Sequence, residues 1–335
     1  MSLPNDPIPA DLPPTVADVE AAAKRLAGVA VRTPLLFSTV LSDTLSRPVY
    51  LKPETLQRTG SFKFRGAYNR MVQIPPERRA AGVVACSSGN HAQGVAAAAQ
   101  LLGMPAVIVM PHDAPALKRA RTEALGAKVV GYDRVHEDRD AIALALAAER
   151  GAVVVPPYDD REVMAGQGTV GLEIVADLAA LGLAPALVAT NASGGGLGAG
   201  IALAVKAGHP QVRIVLCEPE GFEDHARSFA AGERLRNAAA SGSFCDALLA
   251  PTPGRLTFAV TRTLVGEAAA ANDASVARAV AYAFRELKLV VEPGGAVALA
   301  CLLDGSLPEV VGPTVIVLSG GNVDPETYIR CLTAG

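Results

Sequence analysis

The sequence holds only five cysteines, Cys86, Cys217, Cys245, Cys301 and Cys331, and no two of them form a CxxC pair. An odd, scattered set excludes a disulfide framework and a zinc site built on paired thiols, and it fits a reducing cytoplasm. There is no block of like charge: 30 basic residues against 33 acidic ones leave a net charge of -3. The electrostatic footprint of a nucleic-acid partner or an anionic membrane is therefore missing. The opening stretch MSLPNDPIPADLPP has prolines and acids where a signal peptide needs a basic flank and an apolar run. The most membrane-like segment, GVAAAAQLLGMPAVIVMP, is broken by Gln100, Gly103 and Pro105. It reads as a buried helix, a turn and a buried strand. No internal repeat or low-complexity linker is visible either, so the expectation is a soluble globular protein.

What is present is apolar and regular. Half of the 335 residues are hydrophobic and 19% are charged, enough for well-buried cores and, at this length, about two domains. Short β-branched runs (PVYL, GVVACS, AVIVM, KVVGY, AVVVP, ALVAT, VRIVLC, TVIVLS) alternate with Ala-rich helical stretches such as HAQGVAAAAQLLG and GLGAGIALAVKAG. Near-continuous apolar strands are those of parallel sheets covered on both faces. The expected fold class is α/β, with two open, mostly parallel twisted sheets covered by helices. A small domain, residues 77–158, is expected to be inserted into a large one made of 1–76 plus 159–335. In such sheets ligands bind beyond the carboxyl ends of the strands. The Gly- and Ser-rich clusters fall there: Ser87–His91, Ser193–Gly196 and Ser319–Asn322.

Phenylalanine is scarce, with eight in the chain, yet two of them flank Lys63 in TGSFKFRGA. A lysine with its stem on the core and its head in water is the ordinary explanation. The other is a lysine whose proton is loosened by apolar surroundings. The stretch NASGGGLGAGIALAV runs from a strand end through three glycines into a helix, suited to an anion held by free N–H groups. It lacks the Walker A Gly-Lys-Ser/Thr and the dinucleotide fingerprint, and a plain strand-to-helix turn explains it equally well. SSGNHAQGVA repeats the strand-to-helix placement, with amides, hydroxyls and Asn90 able to meet a carboxylate or phenolic oxygen. His91 there reads as a capping or packing histidine, because the helix it opens is apolar. Taken together, an apolar lysine, a phosphate cradle and Ser/Asn loops point to pyridoxal phosphate, which needs a Schiff-base lysine, a phosphate site and a partner for its ring nitrogen.

Six ordered motifs, KPETLQRTGSFKFRGA, SSGNHAQGVA, AGQGTVGLEI, GGGLGAG, EPGGA and SGGN, resemble those of serine/threonine dehydratases and serine racemase. These belong to the tryptophan-synthase-β-like (fold type II) pyridoxal phosphate enzymes. The resemblance runs from about residue 15 to the C-terminus and implies the cofactor in a cleft between the domains. It implies Lys63 as the Schiff-base lysine and catalytic acid/base, with Phe62 near the ring and Asn90 on the phenolic oxygen. Ser193, Gly194, Gly195, Gly196 and Leu197 would bind phosphate, and Ser319 the ring nitrogen. The Ser87, Ser88, Gly89, Asn90, His91 turn would hold the substrate carboxylate. Ser88 would also stand on the face opposite Lys63, as a second acid/base or as a hydrogen-bonding group of the loop only. Two departures stand out. Ser193 occupies the family's first phosphate-loop glycine, strained if its φ is positive, and Asp246-Ala247 replaces Asp-Gly, setting a methyl toward the cofactor.

In CEPEGFEDHARS, Glu218 and Asp224 stand six residues apart with the Phe222 carbonyl between them, a hard-oxygen set for Mg²⁺ or Ca²⁺ or else a solvated acidic loop. The resemblance implies the metal. The expected activity is elimination of ammonia from L-threonine or L-serine, giving 2-oxobutanoate or pyruvate. Alternatives are a serine racemase, a dehydratase of 3-hydroxyaspartate or of a hydroxyectoine-derived amino acid and, more remotely, a non-catalytic amino-acid-binding protein. The chain stops thirteen residues after Asn322, so no C-terminal regulatory domain and no feedback by isoleucine are expected. A homodimer is common in the family and is expected here.

Overall fold

The computed structural model describes residues 12–114, 116–239 and 241–334. The segment 1–11, which carries most of the stretch read as unlike a signal peptide, lies outside the described residues. Among the described residues ten strands run in chain order: β1 Leu36–Phe37, β2 Val49–Pro53, β3 Val83–Cys86, β4 Ala106–Pro111, β5 Lys128–Tyr132, β6 Val153–Val154, β7 Leu187–Asn191, β8 Arg213–Pro219, β9 Ala268–Ala271 and β10 Thr314–Leu318. They form a six-stranded sheet in the order β1-β2-β10-β7-β8-β9 and a four-stranded sheet in the order β5-β4-β3-β6. All pairings are parallel except β1 with β2.

The period of two along a strand divides each sheet's side chains between two cores. On β7 and β10, Leu187, Ala189, Ile316 and Leu318 pack with Val297 and Leu299 of the Pro293–Leu303 helix. Val188, Val315 and Val317 point the other way, against Ile174, Leu178 and Ile201 of the Arg161–Ala180 and Gly196–Gly208 helices. On the smaller sheet Val83, Ala85, Ile108 and Met110 face one cluster, and Val84, Val107 and Val109 the other. Burial on both faces is why these segments are apolar throughout. Among the described residues no helix is long and apolar enough to cross a membrane.

Two strands carry no sequence signal. β9 is four alanines, a run that favours helix, yet it completes the sheet edge through Leu216↔Ala268 and Cys217↔Ala269 pairing. β1 has two residues and is held only by β2.

The Lys63–Val72 helix is pinned from below by buried ions. Arg65 Nε donates to Glu54 Oε2 at 2.8 Å and its Nη1 to Glu173 Oε1 at 2.6 Å, while Lys52 Nζ donates to Glu173 Oε2 at 2.6 Å. Pairing on every side is what makes such burial tolerable. AGQGTVGLEI serves the same helix sterically: a Cβ on Gly166 would stand 2.6 Å from Arg65 O, and one on Gly200 would stand 2.5 Å from Gly168 N. The motif is one of backbone-to-backbone packing between helices.

Candidate active site

Lys63 opens its helix beyond the C-terminal ends of the strands. Ser61 bridges to Gly320 after β10, and Phe62 N donates to Ser319 O at 3.2 Å. On the other side the Asn90–Leu102 helix comes so close that a Cβ on Gly94 would lie 3.1 Å from Lys63 C. Lys63 Nζ donates to Pro157 O at 2.6 Å and sits 5.1 Å from the centre of the Phe62 ring. Burial pulls its pKa down to about 8. The two flanking phenylalanines do different work: Phe64 is fully buried, in the core beneath the smaller sheet, and tilts against Tyr68. Only Phe62 is on the lysine's side.

The Gly196–Gly208 helix follows β7 directly. Gly195 is its N-cap with φ +93°, and no side chain caps the helix. Its first N–H groups face outward without an intrahelical acceptor, as at any helix start. Around the loop, Thr257 Oγ1 donates to Gly194 O at 2.6 Å and the His225 ring lies within 2.9 Å of Ser193 O. Burial holds His225 near pKa 4, so the ring is neutral and Nε2–H is the donor. A Cβ on Gly194 would fall 2.3 Å from the Tyr158 ring. Ser193 is not strained: the described non-glycine residues with positive φ are Ser46, Thr59 and Lys288. Its Oγ accepts from Ala250 N at 3.2 Å, tying the loop after Asp246-Ala247 to the cradle. Leu197 is buried in the core, and only its backbone is available to a ligand. Ala247 itself is exposed, its Cβ 3.0 Å from where a Cβ on Gly294 would be.

The Ser87–His91 turn is half-buried except for His91, which is buried. Gly89 N donates to Ser87 Oγ at 3.1 Å. His91 Nε2 meets Val155 O at 2.9 Å, and burial together with the Lys63 charge pushes its pKa down to about 3. It is a neutral packing histidine. Asn90 is the more connected residue: its Nδ2 donates to Glu292 Oε1 at 2.5 Å and its Oδ1 accepts from Asn322 Nδ2 at 2.8 Å.

Glu292, the first residue of EPGGA, is a site residue that the sequence pattern does not single out. Its carboxyl is buried, and burial raises its pKa to about 7, with Asp246 adding and Asn90 and Lys118 opposing. Folding thus retains a proton that the unfolded chain releases above its ordinary 4.5. Stability from this group is present below about pH 4.5 and is lost as pH rises through about 7. Glu292→Gln keeps the acceptor for Asn90 and removes the charge. Its thermal unfolding is expected to match wild type near pH 4.5 and to exceed it at pH 8, by up to roughly 3 kcal/mol. Equal differences at both pH values would contradict the assignment.

Glu218 and Asp224 are both buried, and burial raises the pKa of each, with Asp224's charge adding to the shift of Glu218. Glu218 accepts from His225 N and Ala226 N at 2.9 and 3.0 Å; Asp224 Oδ1 accepts from Asn237 Nδ2 at 2.8 Å, and Oδ2 has no partner. Phe222 N closes the intervening turn on Pro219 O at 3.0 Å. Among the described residues no group of three or more His, Cys, Asp or Glu could hold a metal.

The profile of the family described as "Pyridoxal-phosphate dependent enzyme" matches residues 27–320. The chain belongs to that family. Among similar pyridoxal-phosphate dependent enzymes, the L-threo-3-hydroxyaspartate ammonia-lyase of Pseudomonas sp. is 43% identical over 94% of this chain and 97% of its own. The L-threonine ammonia-lyase of Thermotoga maritima is 39% identical over 96% of this chain and 79% of its own. Among solved structures of the family, maize serine racemase superposes with a TM-score of 0.89 at 34% identity, over 96% of this chain and 97% of that one. The threonine deaminase of T.th. gives 0.87 at 41%, over 93% and 99%. The residues present fit the family's cofactor. The uncapped helix start at Gly195 suits the phosphate, the half-buried amine of Lys63 suits the aldehyde, and the neutral Ser319 hydroxyl suits a ring nitrogen.

Proposed function

We propose that the chain is a lyase that removes ammonia from L-threonine or L-serine, giving 2-oxobutanoate or pyruvate. The observation that carries this reading is Lys63: its amine, brought to a pKa of about 8, is held by Pro157 O, and the next residue, Tyr158, lies against Gly194 at an uncapped phosphate-type helix start. Pyridoxal phosphate, when bound, supplies the electron sink that makes a substrate Cα–H acidic. The rest belongs to the chain. Near pH 8 about half of Lys63 is free base, suited to taking the Cα proton. Pro157 O steers the amine, and the Phe62 face excludes water from it. The Ser87–His91 turn receives the carboxylate, and Asn90, braced by Glu292 and Asn322, orients the cofactor's oxygen. Phosphate falls to the N–H groups of Ser193–Leu197. Loss of the β-hydroxyl as water leaves an enamine, whose hydrolysis returns that water and releases ammonia.

3-Hydroxyaspartate is a second candidate substrate, supported by the Pseudomonas relative, which is matched along nearly its whole length. Racemase activity and a hydroxyectoine-derived substrate stay within the same site chemistry. A panel of L-serine, L-threonine, both D-isomers and threo-3-hydroxyaspartate, read by keto-acid and ammonia release, tests the proposal; no release from any of them overturns it. Ser88→Ala is expected to keep most L-elimination and to lose D-serine elimination and racemisation. A wild type inert toward D-serine would leave Ser88 a loop residue.

The reading includes residues 77–158 as a small unit closing on 1–76 plus 159–335, supported by β3–β6 all lying in the four-stranded sheet. It also includes a homodimer in the cytoplasm, where five free cysteines are at ease. Mg²⁺ or Ca²⁺ at Glu218, Phe222 O and Asp224 belongs to it too, supported by the unpartnered Asp224 Oδ2 between buried carboxylates. EDTA is expected to lower thermal stability or turnover and Mg²⁺ to restore it; no change in either removes the metal.

A further inference from the structure

Asn191 is the last residue of β7, buried, and its amide is fully engaged. Ala298 N donates to its Oδ1 at 2.6 Å. Its Nδ2 faces Gly295 O at 2.8 Å, Ser319 Oγ at 2.9 Å and, more distantly, Val317 O at 3.3 Å. The amide cannot be turned over: a flipped Oδ1 would confront two carbonyl oxygens, and Nδ2 would confront an N–H. With one Nδ2 hydrogen on Gly295 O, the other is directed at Ser319 Oγ. A serine hydroxyl that accepts from Asn191 has its own proton left to give.

We propose that Asn191 is a positioning residue that fixes Ser319 as a hydrogen-bond donor, so that the cofactor's ring nitrogen is met by an O–H and stays unprotonated. This rests on the cofactor reading above. A protonated ring nitrogen would need Ser319 Oγ as its acceptor, and the Ser319 proton would then need an acceptor of its own. The carbonyls closest to Asn191 Nδ2, Gly295 O and Val317 O, are the ones Asn191 occupies. Asn191 therefore disfavours the protonated ring: it points a positive N–H at Oγ, the oxygen that would have to accept from that ring. An unprotonated ring is the weaker electron sink, and it favours expulsion of a β-substituent over the slower reprotonation at Cα that racemisation requires.

The test is the ¹⁵N NMR signal of ring-labelled pyridoxal phosphate in the holoenzyme. In wild type it is expected at the unprotonated position and unmoved across neutral pH. In Asn191→Ala, where no amide N–H holds Ser319 Oγ as an acceptor, it is expected to move toward the protonated position or to become pH-dependent. The ratio of elimination to Cα-proton exchange should fall on the order of tenfold. Asn191→Leu fills the space without supplying a donor and is expected to behave as Asn191→Ala does. A purely structural Asn191 predicts the opposite pattern, a lowered melting temperature with the ¹⁵N position unchanged, and that result overturns the proposal. So does a wild-type signal at the protonated position, which needs no variant. A wild type that takes up no cofactor overturns the cofactor reading and this inference with it; one that takes it up with a protonated ring overturns this inference alone.

Discussion

Lys63→Ala is expected to fold, to retain affinity for phosphate and to lose both the visible absorption of the bound cofactor and turnover, by at least ~10⁴-fold. The amine contributes almost nothing to the fold: its one polar partner is Pro157 O, and its helix is held instead by Arg65, Glu54 and Glu173. Removing this half-buried amine also relieves the desolvation that lowers its pKa to about 8, so a loss of stability is not expected. Thermal unfolding, absorption with added cofactor and keto-acid release decide the matter together. A variant that keeps more than a trace of turnover would exclude Lys63 as the reacting amine.

The second large effect is at Gly195. Its φ of +93° is left-handed space that a side chain enters at a cost of about 1–2 kcal/mol. An added Cβ would also stand 2.7 Å from His225 Cε1 and 3.0 Å from Thr257 Oγ1. Both neighbours are themselves bonded to the loop, His225 to Ser193 O and Thr257 to Gly194 O, so neither can move aside without releasing it. Gly195→Ala is expected to weaken cofactor binding by ~100-fold, with overpacking of roughly 1–3 kcal/mol added to the backbone strain. Equilibrium binding measured by absorption would show it. A Kd within threefold of wild type would mean that the loop relaxes, and that the cradle is not formed by these N–H groups.

The sequence made the sheets legible because burial on both faces writes itself as unbroken apolar runs. It failed where that rule had no purchase: the alanines of β9 form an edge strand only because β8 offers a free side. The loops of the site were legible for a related reason, since polar residues directly after such strands have few other duties. Contacts between distant loops were not. Asn90 and Glu292 are 202 positions apart, and only the fold brings them to 2.5 Å. A signal for Glu292 did exist, an acid ahead of Pro-Gly-Gly at the start of an apolar helix. Asn191 gave one too, as a polar residue ending a strand otherwise fit only for the core. Phe64 misled in the other direction, since adjacency in sequence turned it to the core while Phe62 stayed with the lysine.

Between β6 and the Arg161–Ala180 helix the chain passes in a few residues from the smaller sheet to a helix packed on the larger one. Val155 O holds His91, Pro157 O holds Lys63, the Tyr158 ring lies over Gly194, and Asp159 receives the N–H groups of Arg255 and Leu256 at 2.8 Å each. One short connector thus gauges the spacing of four separate pieces of the site. Surface connections ordinarily tolerate gain or loss of a residue. Here a single insertion would put each carbonyl out of step with its partner, so the crossing is constrained by its length rather than by its composition.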